Sequence, residues 1–173
     1  MRFCVPVLAV LALLTGCGGD DGSSNKEGRA SGSGYSVALP GGWSDVTDRP
    51  ELAESPIRID RLFTKRRKNG FATNVNVIRE PAPEGAGLDD VKAQYERLLE
   101  GLGNRALTPP RDRQLDGEGA VGRDYMTRNR TQQRQVFSIH DGRIYTVTFT
   151  APPGTFQAEQ KEFEQTLGSW QWE

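Results

Sequence analysis

Residues 134–150 read RQVFSIHDGRIYTVTFT, and this stretch decides the fold that the sequence predicts. Asp141-Gly142 is a strong hairpin signal, because both residues tolerate the positive φ of a two-residue turn. Pairing outward from the turn sets Ile139 opposite Ile144 on one face and places Val136 on the other. Both faces bear apolar groups, so these strands need cover on both sides of their sheet.

Two amphipathic helices are predicted to supply this cover. Between residues 88 and 102, apolar residues recur at helical spacing after the acidic pair Asp89-Asp90, which favours a helix N-terminus. The second helix follows Pro152-Pro153-Gly154, and its apolar stripe begins at Phe156 and Phe163. The sequence therefore predicts an α+β fold in which an antiparallel β-sheet has helices on both faces, an α/β/α sandwich.

Two further hairpins are predicted at Asp116-Gly117 and Asn69-Gly70. Pairing outward from Asn69-Gly70 sets Leu62 opposite Val77, with Phe63 on the other face of the hairpin.

The tip of the hairpin around Asn69-Gly70 is strongly basic. One interpretation is a patch that contacts anionic lipid headgroups, an anionic polymer or an acidic partner. The other is a charged hairpin end that resists aggregation. The residues of this possible anionic-contact patch are Lys65, Arg66, Arg67 and Lys68.

The first residues of the sequence have the pattern of an export signal. Arg2 supplies a positive charge before an apolar run that is too short to span a bilayer. Leu14-Thr15-Gly16-Cys17 resembles the lipobox of bacterial lipoproteins, in which the cysteine thiol receives a diacylglyceryl group and becomes the new N-terminus. The resemblance implies that residues 1–16 are a signal peptide and that Cys17 is the lipidation site, with palmitate-type acyl chains. The alternative is an ordinary secretory peptide that leaves a free thiol.

A polar segment connects this site to the folded part. Residues 17–33 are rich in Gly, Ser and Asp, which predicts a flexible linker with a span of roughly 20–25 Å. Residues 34–173 are predicted to form a single domain. The chain's two cysteines are Cys4 in the signal peptide and Cys17, so the mature domain is expected to have no internal disulfide.

Aromatic and proline landmarks suggest a family. Tyr35-Ser36-Val37 is followed by Pro40 and Trp43. After the last hairpin come Pro152 and, further along the chain, Trp170-Gln171-Trp172. This pattern resembles the PsbP-like superfamily, which includes bacterial lipoproteins such as the actinobacterial LpqN group. The resemblance implies an α/β/α sandwich and a binding or assembly role, with no shared catalytic residues to carry over.

The composition argues against several functions. The formal net charge of −1 gives no reason to expect nucleic acid as a partner. The single histidine, His140, adjoins the Asp141-Gly142 turn, so no metal site, no catalytic residue and no cofactor is predicted. We expect a lipid-anchored protein on the extracytoplasmic face of the cell membrane that presents a noncatalytic binding or accessory domain to an envelope protein, polymer or lipid. The alternatives are a carrier of a lipid or small apolar ligand and a hydrolase that uses a carboxylate pair.

Overall fold

The structure is a computed structural model that describes residues 28–53, 57–65 and 71–173. The predicted signal peptide, Cys17 and the first part of the predicted linker lie outside these residues. The strands are β1 (Arg29–Gly32), β2 (Tyr35–Ala38), β3 (Trp43–Asp45), β4 (Ile59–Lys65), β5 (Asn74–Pro81), β6 (Arg105–Ala106), β7 (Arg111–Leu115), β8 (Glu118–Met126), β9 (Gln132–His140), β10 (Arg143–Ala151) and β11 (Gln171–Trp172). The helices are α1 (Pro50–Ala53), α2 (Leu88–Gly101) and α3 (Pro153–Gly168).

The β9–β10 hairpin lies in the middle of the larger sheet. Asp141 and Gly142 both have positive φ, and Ile139 pairs with Ile144, so the predicted turn and register are confirmed. The sheet has eight strands in the order β3-β4-β5-β10-β9-β8-β6, with β7 also paired to β8. The Asp116-Gly117 hairpin is confirmed as the β7–β8 turn, and all the pairings in this sheet are antiparallel.

The larger hydrophobic core lies on one face of this sheet. Val147 and Phe149 of β10 point into it, and Phe156 and Phe163 of α3 pack against them. A second sheet, in the order β1-β2-β11, lies on the same side and contributes Val37. This core therefore joins both sheets and α3.

The opposite face carries α2, which begins and ends within one residue of the predicted helix. Val91 and Tyr95 of α2 pack against Phe137 and Ile144 in a small separate cluster. Tyr95 and Phe137 have ring centroids 4.5 Å apart. The helix is thus attached to the sheet through few buried apolar residues.

The predicted α/β/α sandwich is wrong. Strands contain nearly twice as many of the described residues as helices do, and the core face is covered by a second sheet as well as by α3. On the other face, α2 has 14 residues and is about 21 Å long, whereas the sheet is seven strand positions wide and extends over about 29 Å. One helix cannot form a layer over such a sheet. The sequence did not reveal the second sheet, because strands of two to four residues show too little alternation.

Strand β1 lies within residues 17–33, which were predicted to form a flexible linker. Its residues pair with β2 through a turn at Ser33-Gly34, where Gly34 has a φ of +87°. The Arg29 guanidinium donates a hydrogen bond of 2.8 Å to the Ser169 carbonyl. The strand has a polar composition and gains its order from backbone pairing and this contact, neither of which is visible in hydropathy.

The predicted register of β4 against β5 is wrong by one residue. Phe63 pairs with Val75, and Leu62 pairs with Asn76 instead of Val77. This shift places Phe63 in the larger core beside Val75. A one-residue slip turns every side chain to the other face, so burial of Phe63 outweighs the turn signal that set the prediction. Asn69-Gly70 itself lies outside the described residues.

Candidate functional site

The predicted basic patch is described only at Lys65. Its Nζ lies 2.7 and 2.9 Å from the two carboxylate oxygens of Glu162 on α3, and the Trp43 indole also donates to Glu162, at 2.7 Å. Burial alone would raise the pKa of Glu162, but Lys65 and Trp43 outweigh it and lower the pKa. Lys65 therefore ties β4 to α3. Arg66, Arg67 and Lys68, like Cys17, lie outside the described residues.

His140 is held by the C-terminal tail. Its ring stacks on Trp172 with centroids 4.3 Å apart and an interplanar angle of 9°. Nδ1 lies 3.4 Å from the Glu118 carboxylate, and Nε2 lies 3.6 Å from that of Asp141. The imidazole thus faces two carboxylates and an indole, an arrangement that positions the tail.

Around His140, an aromatic group forms where three turns and the chain end meet. We call it the tail cluster: Tyr35, His140, Tyr145, Trp170 and Trp172. Tyr35 stacks on Trp170 at 4.1 Å, and Trp172 meets the Tyr145 ring edge-on at 4.8 Å. The Trp172 indole donates to the Leu115 carbonyl at 2.9 Å, which fastens the tail to β7.

Two glycines make room for the tail cluster. A Cβ at Gly32 would lie 2.1 Å from the Tyr35 ring, so Tyr35 covers a position where only glycine fits. A Cβ at Gly34 would lie 2.9 Å from the Tyr145 hydroxyl. That hydroxyl donates to the Ser33 carbonyl at 3.0 Å. The β1–β2 turn is therefore shaped by the aromatic side chains beneath it.

Charged groups surround the tail cluster. The Arg79 guanidinium lies 5.9 Å from the Tyr145 ring centroid, and its Nε is 3.2 Å from the Tyr145 hydroxyl. Glu118 and Asp141 are both exposed next to His140. Tyr35, Tyr145 and Trp170 are buried, so the partly exposed rings of the tail cluster are those of Trp172 and His140. Exposed aromatic rings with a charged rim are typical of protein contact sites.

A second feature is a depression on the β7–β8–β9 side, with a volume of about 10 Å³, the size of a single water molecule. Its lining includes Arg113, Asp124 and Arg134, which together with Glu164 form a charged group that we call the arginine network. Arg134 donates to both oxygens of Asp124 at 2.6 and 2.8 Å and to Glu164 at 2.6 Å. Arg113 forms a bidentate pair with Glu164 at 2.7 and 3.0 Å. A Cβ at Gly122 would lie 2.8 Å from the Arg113 side chain, so this glycine leaves space for it.

The arginine network carries two positive and two negative charges that neutralise one another. The hydrogen bond to Asp124 raises the pKa of Arg134 against the opposing effect of burial. An incoming anion would have to displace a carboxylate that is already bound. We therefore interpret the network as a clamp between α3 and strands β7 to β9 instead of an anion site.

Glu164→Gln is expected to reduce the loss of stability in acid. Burial would raise the pKa of Glu164, but Arg113 and Arg134 outweigh it and hold the pKa below the ordinary value of 4.5. Such a carboxylate stabilises the fold fully above its unfolded-state pKa and loses this contribution as pH falls through its folded-state pKa. Urea unfolding at a series of pH values should show a shallower decline for Glu164→Gln below about pH 4.5. Glu84→Gln, at an exposed position, should follow the wild type. A Glu164→Gln profile parallel to the wild type would contradict the expected role.

Within residues 28–53, 57–65 and 71–173, no group of His, Cys, Asp and Glu could hold a metal ion. In the same part of the chain, no helix is both long and apolar enough to cross a membrane.

The fold is similar to that of two solved structures. Cyanobacterial PsbP (CyanoP) from Synechocystis sp. PCC 6803 superposes with a TM-score of 0.64 at 16% sequence identity, and the match covers 90% of this chain and 98% of the other. A protein of unknown function from Pseudomonas aeruginosa, PA94, gives a TM-score of 0.55 at 19% identity over 65% of this chain and 81% of its own. No protein-family model and no curated protein matches this sequence. At these identities the likeness shows the fold alone, and it confirms the predicted PsbP-like fold.

Proposed function

We propose that this protein is a lipid-anchored lipoprotein, similar to the actinobacterial LpqN group, that presents a noncatalytic binding or accessory domain on the extracytoplasmic face of the cell membrane. The observation that carries the binding role is the tail cluster with its charged rim. The lipobox resemblance of Leu14-Thr15-Gly16-Cys17 supports the anchor.

The composition of the tail cluster favours partner binding. Tryptophan, tyrosine and arginine contribute most of the binding energy in many interfaces, because large rigid side chains bury much area at low entropic cost. Here Trp172 and Arg79 lie beside exposed carboxylates at one end of the sheet. An envelope partner that covers this end would bury aromatic surface and meet a polar rim.

A photo-crosslinking residue at Glu118 is expected to capture the partner in intact cells. Glu118 is about half exposed and begins β8 beside His140, so a benzoylphenylalanine there would point toward any molecule bound at the tail cluster. The matched control is Asn129, which is exposed in the turn at the opposite end of β8. Crosslinked bands should appear with the Glu118 probe and be absent or much weaker with the Asn129 probe.

The same experiment can reject the proposed surface. Identical crosslinking from both positions would mean that the tail cluster has no special role in binding. Crosslinks from Asn129 alone would place the contact at the other end of the sheet.

The depression at the arginine network is too small for the carrier alternative. A site for a lipid or drug-sized ligand needs about 300 Å³ or more, whereas the depression at the arginine network holds about 10 Å³ and is lined by charged side chains.

A further inference from the structure

Three polar side chains lie side by side across the middle of the eight-stranded sheet. Thr148 of β10 pairs directly with Asn76 of β5 and with Gln135 of β9. Side chains at paired positions project from the same face of a sheet. We call these three residues the amide row.

The amide row is buried, and four of its five polar side-chain atoms lack hydrogen-bonding partners among the described residues. Asn76 is 7% exposed, and Thr148 and Gln135 are 0% exposed. Four of their polar atoms find no partner within the part of the chain that the structure describes. These atoms are Asn76 Oδ1, Thr148 Oγ1, Gln135 Oε1 and Gln135 Nε2. Buried polar groups are nearly always paired in folded proteins, so four unpaired atoms at adjacent positions require an explanation.

The neighbouring polar side chains on this face are paired. Two residues further along β10, Thr150 Oγ1 accepts a hydrogen bond from Gln133 at 3.2 Å. Two residues before Thr148, the Thr146 hydroxyl bonds to the Tyr95 hydroxyl of α2 at 3.1 Å. The buried polar groups on both sides of the amide row are therefore hydrogen-bonded, whereas four polar atoms of the row between them have no partner in the described part of the chain.

The chemistry of the amide row defines what it can bind. It contains no charge and offers both donors and acceptors, because the Gln135 amide has a free N–H edge and a free carbonyl and the Thr148 hydroxyl can act either way. A divalent cation would require carboxylates, and an anion would require a positive charge. A neutral O–H group, which both donates and accepts, complements the row.

We propose that the amide row is a buried binding site for neutral hydroxyl groups, supplied by ordered water or by a small hydroxylated molecule. The site lies on the α2 face. It is distinct from the tail cluster and independent of the proposed partner binding. Tyr95 of α2 is hydrogen-bonded to Thr146, two residues before Thr148 on the same strand, so α2 meets the sheet beside the row.

Thr148→Val tests whether the site is occupied, because valine keeps the shape of threonine and removes only the hydroxyl. Thr150→Val is the matched control, since Thr150 is equally buried on the same strand and has a known partner. In an occupied site, both substitutions should lower the midpoint of thermal unfolding of the full-length protein by several degrees, about 3–6 °C. If Thr148→Val unfolds at or above the wild-type temperature while Thr150→Val unfolds below it, the row is empty and the proposal is overturned.

Two further measurements identify the occupant. A high-resolution crystal structure should show ordered oxygen atoms within about 3.2 Å of the Thr148 hydroxyl and the Gln135 amide. A row whose side chains instead bond directly to one another would overturn the proposal. Native mass spectrometry of protein extracted from its own host then distinguishes the two sources. A bound mass that disappears in Gln135→Leu indicates a hydroxylated molecule, and ordered oxygens without a bound mass indicate water.

Discussion

Asp124→Ala is expected to lower the free energy of unfolding by about 3–5 kcal/mol, because it leaves the buried Arg134 without its main partner. Both side chains are almost inaccessible, with 8% of Arg134 and 10% of Asp124 exposed. Arg134 donates two hydrogen bonds to Asp124, so the substitution removes a bidentate contact and leaves a desolvated cation with Glu164 alone. Urea or guanidinium unfolding, followed by tryptophan fluorescence, would measure the loss.

Two controls separate the buried pair from ordinary surface ion pairs. Asp45→Asn removes the charge that faces Arg61 3.9 Å away, whereas the amide oxygen can still accept the hydrogen bonds from Thr47, so it should cost at most about 1 kcal/mol. The double variant Asp124→Leu with Arg134→Met should recover much of the loss, since an apolar pair removes the uncompensated charge. An Asp124→Ala protein as stable as the Asp45→Asn control would show that the arginine network is not a clamp.

Cys17→Ala is expected to remove the protein from the membrane fraction. If Cys17 carries a diacylglyceryl group, as the lipobox resemblance implies, the acyl chains supply about 0.8 kcal/mol for each buried methylene, and two or more chains make residence stable. The variant should appear as an uncleaved precursor or in the secreted fraction. Detergent-phase partitioning of whole-cell lysates would follow the change.

The chain provides a matched control for this experiment. Cys4 is the other cysteine in the sequence and belongs to the predicted signal peptide, so Cys4→Ala should leave partitioning unchanged. If Cys17→Ala also partitions into the detergent phase like the wild type, the lipid anchor is refuted, and the proposed binding domain would need another route to the membrane.

The elements that depend on local chemistry were predictable. The Asp141-Gly142 turn and the pairing of Ile139 with Ile144 followed from the tolerance of positive φ and the alternation of strands. Helix α2 followed from its 3.6-residue periodicity and its acidic first turn. These signals act over a few residues, so they can be read without knowledge of distant partners.

Local signals failed where distant burial competed with them. The Asn69-Gly70 signal predicted a register that the pairing of Phe63 with Val75 overrides. Strand β1 was assigned to the linker because its composition is polar, although β2 orders it through the backbone. The α/β/α arrangement was wrong because the second sheet is built from segments at the two ends of the domain.

The sequence by itself determined the central hairpin and the two long helices, because each rests on residues close together in the chain; lipidation at Cys17 stays a prediction. Only the tertiary structure decided which side chains meet. Asp124 lies opposite Arg134 because of the register of β8 on β9. Trp172 stacks on His140 because the end of the chain returns to the sheet. The amide row became visible only when three strands were aligned. Sites of this kind depend on register and layer order, which are set by the total burial of the folded chain and not by any single segment.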